Sequence, residues 1–422
     1  MKGFFPGPLR QFLKGGDKGQ ALALTAVGLA VLMLMAGLGV DVGFLRYQKE
    51  QMQKAADAGA MAAASVLIYS NTGAPAITTA AQSDAAANGF QNGTNGVVVT
   101  VNNPPQSGVF AGNDNYVEVI VAQPQPTFFM KVGGFASVNV SARAVGAVLS
   151  SGNGCIYSLD PNGSESFLVN GTVSITSTCG IKVNSNNQYA LVEKGNSGSI
   201  KVTNGAQIGV VGGYSGTGFS PTPTNITPFS DPLSYLQPPT VGGCNYTNYK
   251  TTSNVTLQPA VYCGGITING NAVVTFEPGT YILMGGGMTS SGNTTLIGSG
   301  VTFYNTFGND SGQSWSYGAV NLAGTAQTTL TAPTSGSLAG ILFFQDRRVP
   351  VGTWNSFDGT NGEIYSGILY FPTGNLDYAG DASIGQYLNM IAWDYEFNGN
   401  PTLLNYNLPG GQSPFKSAFL AE

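Results

Sequence analysis

The chain reads as a mainly β protein with an N-terminal transmembrane helix, a small α+β module and then a parallel β-helix, or solenoid. Three observations predict this. Residues Ala21 to Val40 form an uncharged apolar run whose one hydroxyl is Thr25, and at ~1.5 Å per residue it spans ~30 Å, the thickness of a bilayer's hydrocarbon core. Beyond Ser150, short β-branched segments alternate with Asn-Gly, Gly-Asn and Gly-Ser corners, without helical periodicity. Within that region the sequence matches itself at a step of about 22 residues, the length of one coil of a parallel β-helix.

A basic leader, residues 1–20, comes first. Lys2, Arg10, Lys14 and Lys18 face a single acid, Asp17, and this excess predicts a cytoplasmic N-terminus with everything after Val40 outside. A cleaved signal peptide competes with the anchor at residues 21–40, as does a buried soluble helix. Its apolar core is normally ~7–15 residues and ends at a small-residue cleavage site. Here the run is longer and continues, without a proline, into helix-forming sequence.

Residues 41–70 extend the same helix as an alanine-rich stalk. Leu45, Met52, Gly59 and Val66 recur every seven residues beside Ala55, Ala56, Ala62 and Ala63, while Arg46, Glu50, Gln53 and Asp57 form a polar stripe. One face is therefore nearly smooth, and a face of Ala and Gly lets another element approach closely. The stripe predicts either a helix packed on its own domain or a contact surface for another single-pass subunit. Gly39 and Gly43, four apart, fit the second reading.

This segment resembles the N-terminal part of TadE/TadG-like proteins of the tight-adherence (Flp) pilus system. The resemblance lies in Gly19-Gln20 before the apolar run, Asp41-Val42-Gly43 at its outer end, and Met52-Gln53 leading into Ala55-Ala56-Asp57-Ala58. It implies an inner-membrane protein of a bacterial pilus-assembly machine with its bulk outside the cytoplasm. Prepilin-like members carry a glutamate five residues after the cleaved glycine; counted from Gly19 that position is Leu24, so an uncleaved, TadG-like anchor is what carries over. Together the smooth face and the motif single out Gly39, Asp41, Gly43, Met52, Asp57, Gly59 and Ala63 as candidate helix-packing and assembly residues.

Residues 71–150 read as the small α+β module. A helix is expected from Pro75 to Gly89, with strands at Gly96–Val101, Tyr116–Val121 and Ser137–Leu149. From residue 151 the β-helix is expected to run to 340. "ITINGNAVVTFEPGTYIL" from Ile266 matches "MTSSGNTTLIGSGVTFYN" from Met288; Gly270 recurs at Gly292 and Gly279 at Gly300, with a degenerate third copy near Val320 and Gly324 at its corner. A sandwich or a propeller accounts less well for this repeat. The segment Thr217 to Thr240, with prolines at 221, 223, 228, 232, 238 and 239, is expected to wrap outside. Residues 341–422 are expected to form the last coils or a C-terminal cap.

Composition narrows the function. The chain has four cysteines and no histidine, so triads and other histidine-based chemistry are excluded. Past residue 60 there are 9 Lys/Arg and 17 Asp/Glu, a net charge of −8, which offers nucleic acid no basic patch. Cys155, Cys179, Cys244 and Cys263 all follow the apolar run, where an oxidising compartment pairs them. Three connectivities are open, and proximity favours Cys155 with Cys179 and Cys244 with Cys263. A metal site is the alternative, without histidines or close cysteine pairs to support it.

Carboxylates gather towards the C-terminus at Asp346, Asp358, Glu363, Asp377, Asp381, Asp394 and Glu396, near Arg347 and Arg348; of these Asp394 and Glu396 share a strand face by their i,i+2 spacing. They read as exposed acids or as a carbohydrate-active site. Trp315, Tyr317, Trp354, Tyr365, Tyr370, Tyr378, Tyr387, Trp393 and Tyr395 read as core or as a sugar-binding surface. The expected function is a membrane-anchored, non-enzymatic structural or assembly component of a tight-adherence pilus or related system, with no catalytic residue, metal or cofactor. Expected partners are the lipid bilayer, other single-pass subunits and surface glycans. A membrane-tethered carbohydrate-active enzyme and a self-assembling filament subunit are the alternatives.

Overall fold

A computed structural model of the chain describes residues 18–68, 74–150, 154–195, 198–323, 328–357, 363–379, 386–409 and 413–422. The basic leader up to Asp17, Gly324, Asp358 and Asp381 lie outside the described residues. The chain is mainly β with one long apolar N-terminal helix, and it divides into two units: Met1–Leu149 with Ser417–Glu422, and Ser150–Lys416.

In the first unit a single helix, α1 (Lys18–Leu67), carries both the apolar run and the alanine-rich stalk. A second helix, α2 (Ala74–Ala87), lies where a helix is expected. The sheet consists of β1 (Val98–Asn102), β2 (Tyr116–Pro126) and β3 (Ser137–Ser150), with the strand Lys416–Leu420 beside β3. β2 pairs antiparallel with β1 and with β3, so that Val119 sits between Val101 and Ala144, and Val121 between Val99 and Ala142. Alternation along β2 turns Val117, Val119 and Val121 into a core with Ile77, Ala81 and Ala85 of α2 and Met52, Ala55, Ala56, Ala60, Ala63 and Ala64 of α1. The opposing residues on β3 are as small as those on the helix. A Cβ at Gly146 would run into the Ala60 carbonyl, so this glycine sets how closely helix and sheet approach.

The C-terminal region expected at 341–422 is therefore divided. Its last residues bind this sheet: Val145 N–H donates to the Glu422 carbonyl at 2.7 Å, and Ala421 N–H to the Val145 carbonyl at 2.7 Å.

The second unit is dominated by a large sheet of 27 strands among the described residues. Its pairings are parallel throughout, and they confirm the repeat while adjusting its step: Ile266 lies beside Met288, Val274 beside Leu296 and Gly279 beside Val301, a uniform 22. The third copy begins at Val320, beside Met288. Ten further residues enter before it, and the antiparallel pair Gly308–Asp310 with Gln313–Trp315 accounts for them.

Strand order does not follow chain order. The strands at 246–251, 261–268, 279–284, 301–306, 341–345, 364–371 and 386–392 pair successively, and then Met390 lies beside Ile156. The stack continues through 180–183 and 208–210 to 224–225. The first strand in sequence thus sits inside the stack, and its ends are the strands on either side of the proline-rich segment. Inward side chains form a continuous ladder of Tyr281, Phe303, Phe343, Leu369, Met390, Ile156, Ile181 and Ile208.

The opposite face of the same strands is also apolar, with Val261, Ile282, Tyr304, Phe344, Tyr370, Ile391 and Tyr157 in line. Residues 226–245 cover it, burying Leu233 and Leu236 against these side chains. From 246–251 to 224–225 there are ten strand steps of ~4.8 Å, about 48 Å, within the ~60 Å reach of twenty residues in extended, proline-rich conformation. The proline segment was expected to wrap outside from Thr217. Its first residues instead pair in the stack, Phe219 with Ile200 and Thr224 with Gly209, and the strap starts after them.

Arg347 fastens the strap. Its guanidinium donates to the Leu236 carbonyl at 2.8 Å, the Leu233 carbonyl at 2.6 Å and the Tyr370 hydroxyl at 2.7 Å, and lies over the Phe344 and Tyr370 rings. The Tyr370 hydroxyl donates in turn to Asp231 on the strap.

Candidate membrane-anchor and assembly surface

α1 changes character along its length. From Leu22 to Val40 nearly every side chain is exposed, Leu22, Leu24, Leu32 and Met35 among them, and the helix is long and apolar enough to cross a membrane. From Met52 onward its smooth face is buried in the first unit.

For Met52, Gly59 and Ala63 the structure shows the first of the two readings, a helix packed on its own domain. Met52 and Ala63 are fully buried, and a Cβ at Gly59 would stand 2.9 Å from the Ala81 carbonyl of α2 and 3.3 Å from Val119 of β2. The smooth face is occupied by the chain's own sheet and second helix. Asp57 is engaged as well: Gln53 donates from its amide to Asp57 Oδ1 at 2.7 Å and to the Arg143 carbonyl at 2.9 Å. Gly39 and Gly43 differ from these. Both are exposed, with open space where a side chain would begin, so this pair alone of the candidate glycines remains available to another helix.

Asp41, which the motif singled out, holds a hairpin of its own chain. It is fully buried, and its carboxylate accepts the backbone N–H groups of Phe128 at 2.8 Å, Phe129 at 2.9 Å and Met130 at 2.6 Å. The last of these opens the 3-10 turn Met130–Gly133 in the β2–β3 connection. A charged acceptor with three donors is the arrangement that makes a buried carboxylate tolerable. The tip of the β2–β3 hairpin is thereby tied to α1 where the apolar run ends.

A second polar cluster lies on the sheet face away from the helices. Glu118 of β2 is buried and accepts from Arg143 Nε at 2.5 Å, Asn102 Nδ2 at 2.7 Å, Ser107 Oγ at 2.9 Å and Gln106 N–H at 3.3 Å. Burial works to raise its pKa, but the Arg143 hydrogen bond and the other donors outweigh it and hold the carboxyl at about 2. Arg143 also pairs with Glu422 at 2.8 Å, joining the final residues to the sheet. Sequence reasoning missed the partners of Asp41 and Glu118; for Glu118 a lone charge inside a β-branched strand was the available signal.

The cysteines pair as proximity favoured, Cys155 with Cys179 and Cys244 with Cys263. Among the described residues the carboxylates near the C-terminus do not assemble into one group, although Asp377 and Glu396 lie side by side on neighbouring strands. Asp346 pairs with Arg348 at 2.6 Å, Glu396 accepts from Asn170 at 2.5 Å and Asp377 from Asn398 at 3.0 Å. Burial, and then the neighbouring Asp160, push the Asp394 carboxyl up to about 7. Among the described residues no cluster of three or more metal-ligating side chains occurs. Of the aromatic group, Trp315, Tyr365, Tyr370, Tyr378 and Tyr395 are buried, whereas Trp354 and Tyr387 are widely exposed and lie on strands with different partners.

No curated protein and no solved structure matches the chain. Residues 19–66, the helix that carries the span, Asp41 and the buried stripe, match the family model described as "Putative Flp pilus-assembly TadE/G-like", so this N-terminal segment is similar to the Tad family.

Proposed function

We propose that the chain is a non-enzymatic structural or assembly component of a bacterial tight-adherence (Flp-type) pilus system. In this reading residues 21–40 span the inner membrane once, the N-terminus is cytoplasmic, and the second unit is a parallel β-helix displayed outside the cytoplasm. The family match over residues 19–66 supports a pilus-related component. The observation that carries the rest is the continuity of α1: one unbroken helix is bare and apolar at its start and forms the core of a folded module at its end. An anchor built this way is part of the fold rather than a detachable leader. The β-helix reading rests on the parallel pairings and on the 22-residue step between the coils that begin at Ile266 and Met288.

Contact with other single-pass subunits falls to the exposed part of α1, including Gly39 and Gly43. An adhesive, glycan-binding face draws less support, because most of the aromatic residues pack inside.

The test is genetic and chemical together. Deleting the gene in a piliated host should abolish pili, and the full chain, but not one lacking residues 21–40, should restore them. A photocrosslinking residue at Gly39 or Gly43 should capture other membrane subunits, whereas one at Ala63 should not. Normal piliation in the deletion strain contradicts the proposal.

A carbohydrate-active enzyme is the second reading, favoured by the half-buried Asp394, held at about 7 where a general acid would be useful. Cleavage of pectin, alginate or a glycosaminoglycan, lost on Asp394→Asn, would establish it.

A further inference from the structure

The connection between β2 and β3, residues 127–136, is unusually apolar for a loop. Its side chains include Phe128, Phe129, Met130, Val132 and Phe135, with Lys131 the one charge. They are not folded away. Val132 is 86% exposed, Phe135 62%, Phe128 57% and Phe129 45%. A surface of this kind on an otherwise polar module needs a partner.

The position of the loop identifies that partner. Asp41 grips Phe128, Phe129 and Met130 through their N–H groups, and the Phe128 ring meets Phe44 edge-on at 5.4 Å. Phe129 reaches further, lying against Gly37 so closely that a Cβ there would collide with its ring. Gly37 precedes Asp41 by one helical turn, about 6 Å along the axis, and lies inside the apolar run. The exposed rings are thus level with the part of α1 whose own side chains are bare and apolar.

The backbone of the loop is also prepared for a medium without water. Thr127 N–H donates to the Ala136 carbonyl, Val132 N–H to Phe129, Gly134 N–H to Lys131 and Phe135 N–H to Met130, at 3.0–3.2 Å. The Thr127 hydroxyl donates to the Phe135 carbonyl, and Asp41 takes the N–H groups of Phe128, Phe129 and Met130. Seven of the ten N–H groups from Thr127 to Ala136 are thus paired within the first unit, which lowers the cost for a non-helical segment of leaving water. Lys131 is long enough to turn its ammonium back to the headgroups.

We propose that residues 127–136 insert into the outer interface of the same bilayer that α1 crosses, as a second membrane contact held at fixed depth by Asp41. The inference rests on reading residues 21–40 as the span. Two contacts, one through the membrane and one beside it, fix the rotation and tilt of the first unit relative to the bilayer.

Tryptophan fluorescence in the full chain, reconstituted in nanodiscs, tests this. Trp315, Trp354 and Trp393 of the parent supply the baseline. Lipids brominated near the top of the acyl chain should quench the added emission of Val132→Trp and of Phe135→Trp, and Leu32→Trp should be quenched most by lipids brominated near the chain end. Quenching at Leu32→Trp without quenching at either loop position overturns the proposal while leaving the span intact. Absence of quenching at Leu32→Trp overturns the span and the proposal with it. Should one loop variant fail to fold, the other decides.

Discussion

Replacing Glu118 with Gln should cost the first unit about 3 kcal/mol at neutral pH. The carboxyl is held at about 2 instead of 4.5, and at ~1.4 kcal/mol per unit the difference is worth about 3 kcal/mol. A glutamine also turns an amide towards donors that need an acceptor, including Arg143 Nε and Asn102 Nδ2. The sign is fixed by the lowered pKa. Stability from Glu118 is complete above pH 4.5 and is lost as pH falls through 2. Hydrogen exchange of the β2 amides, corrected for intrinsic rates, reads this directly, since the central strand exchanges only when the unit opens. At pH 7 protection in Glu118→Gln should be lower by roughly two orders of magnitude, and the parent should approach the variant as pH falls from 5 to 2. A variant within about threefold of the parent at pH 7, or a parent whose corrected protection is flat over that range, refutes the reasoning.

Three further outcomes follow from the packing and charges. Gly59→Leu should destabilise the first unit by about 3 kcal/mol through overpacking against Ala81 and Val119, whereas Gly39→Leu should leave its protease resistance unchanged. Arg347→Ala removes two hydrogen bonds to the strap and the one that steadies Tyr370 beneath it, so limited proteolysis should shift to residues 226–245 while fragments from the stacked strands stay protected. Asp394 titrates in the opposite sense from Glu118. Its raised pKa means that stability is present in full below about pH 3.8 and is lost as pH rises through about 7, so Asp394→Asn should melt above the parent at pH 8 and with it near pH 4.

How far the sequence carried this fold depended on how local each signal was. α2 and the three strands of the first unit fall close to their expected positions, because β-branched runs and proline or glycine boundaries are local. The 22-residue step was legible for the same reason, as Ile266 and Met288 are one repeat apart. Nothing local marks the meeting of Met390 with Ile156, which places the first strand of the second unit inside the stack. The alanine stripe of α1 presents another limit. A smooth helix face looks identical whether the neighbour is another subunit or, as here for Gly59 and Ala63, the chain's own β2 and α2. Asp41 was visible as part of a motif, but its partners at Phe128 to Met130 come from a hairpin far along the chain.

The account turns on residues 21–40 of α1 crossing a membrane with everything after Val40 on the far side. Epitopes at the N-terminus and after Glu422, with protease added to intact spheroplasts, test it most directly. The account predicts that the C-terminal epitope is digested and the N-terminal one protected until the membrane is permeabilised. Protection of the C-terminal epitope in sealed spheroplasts, or recovery of the whole chain in the soluble fraction, would contradict it.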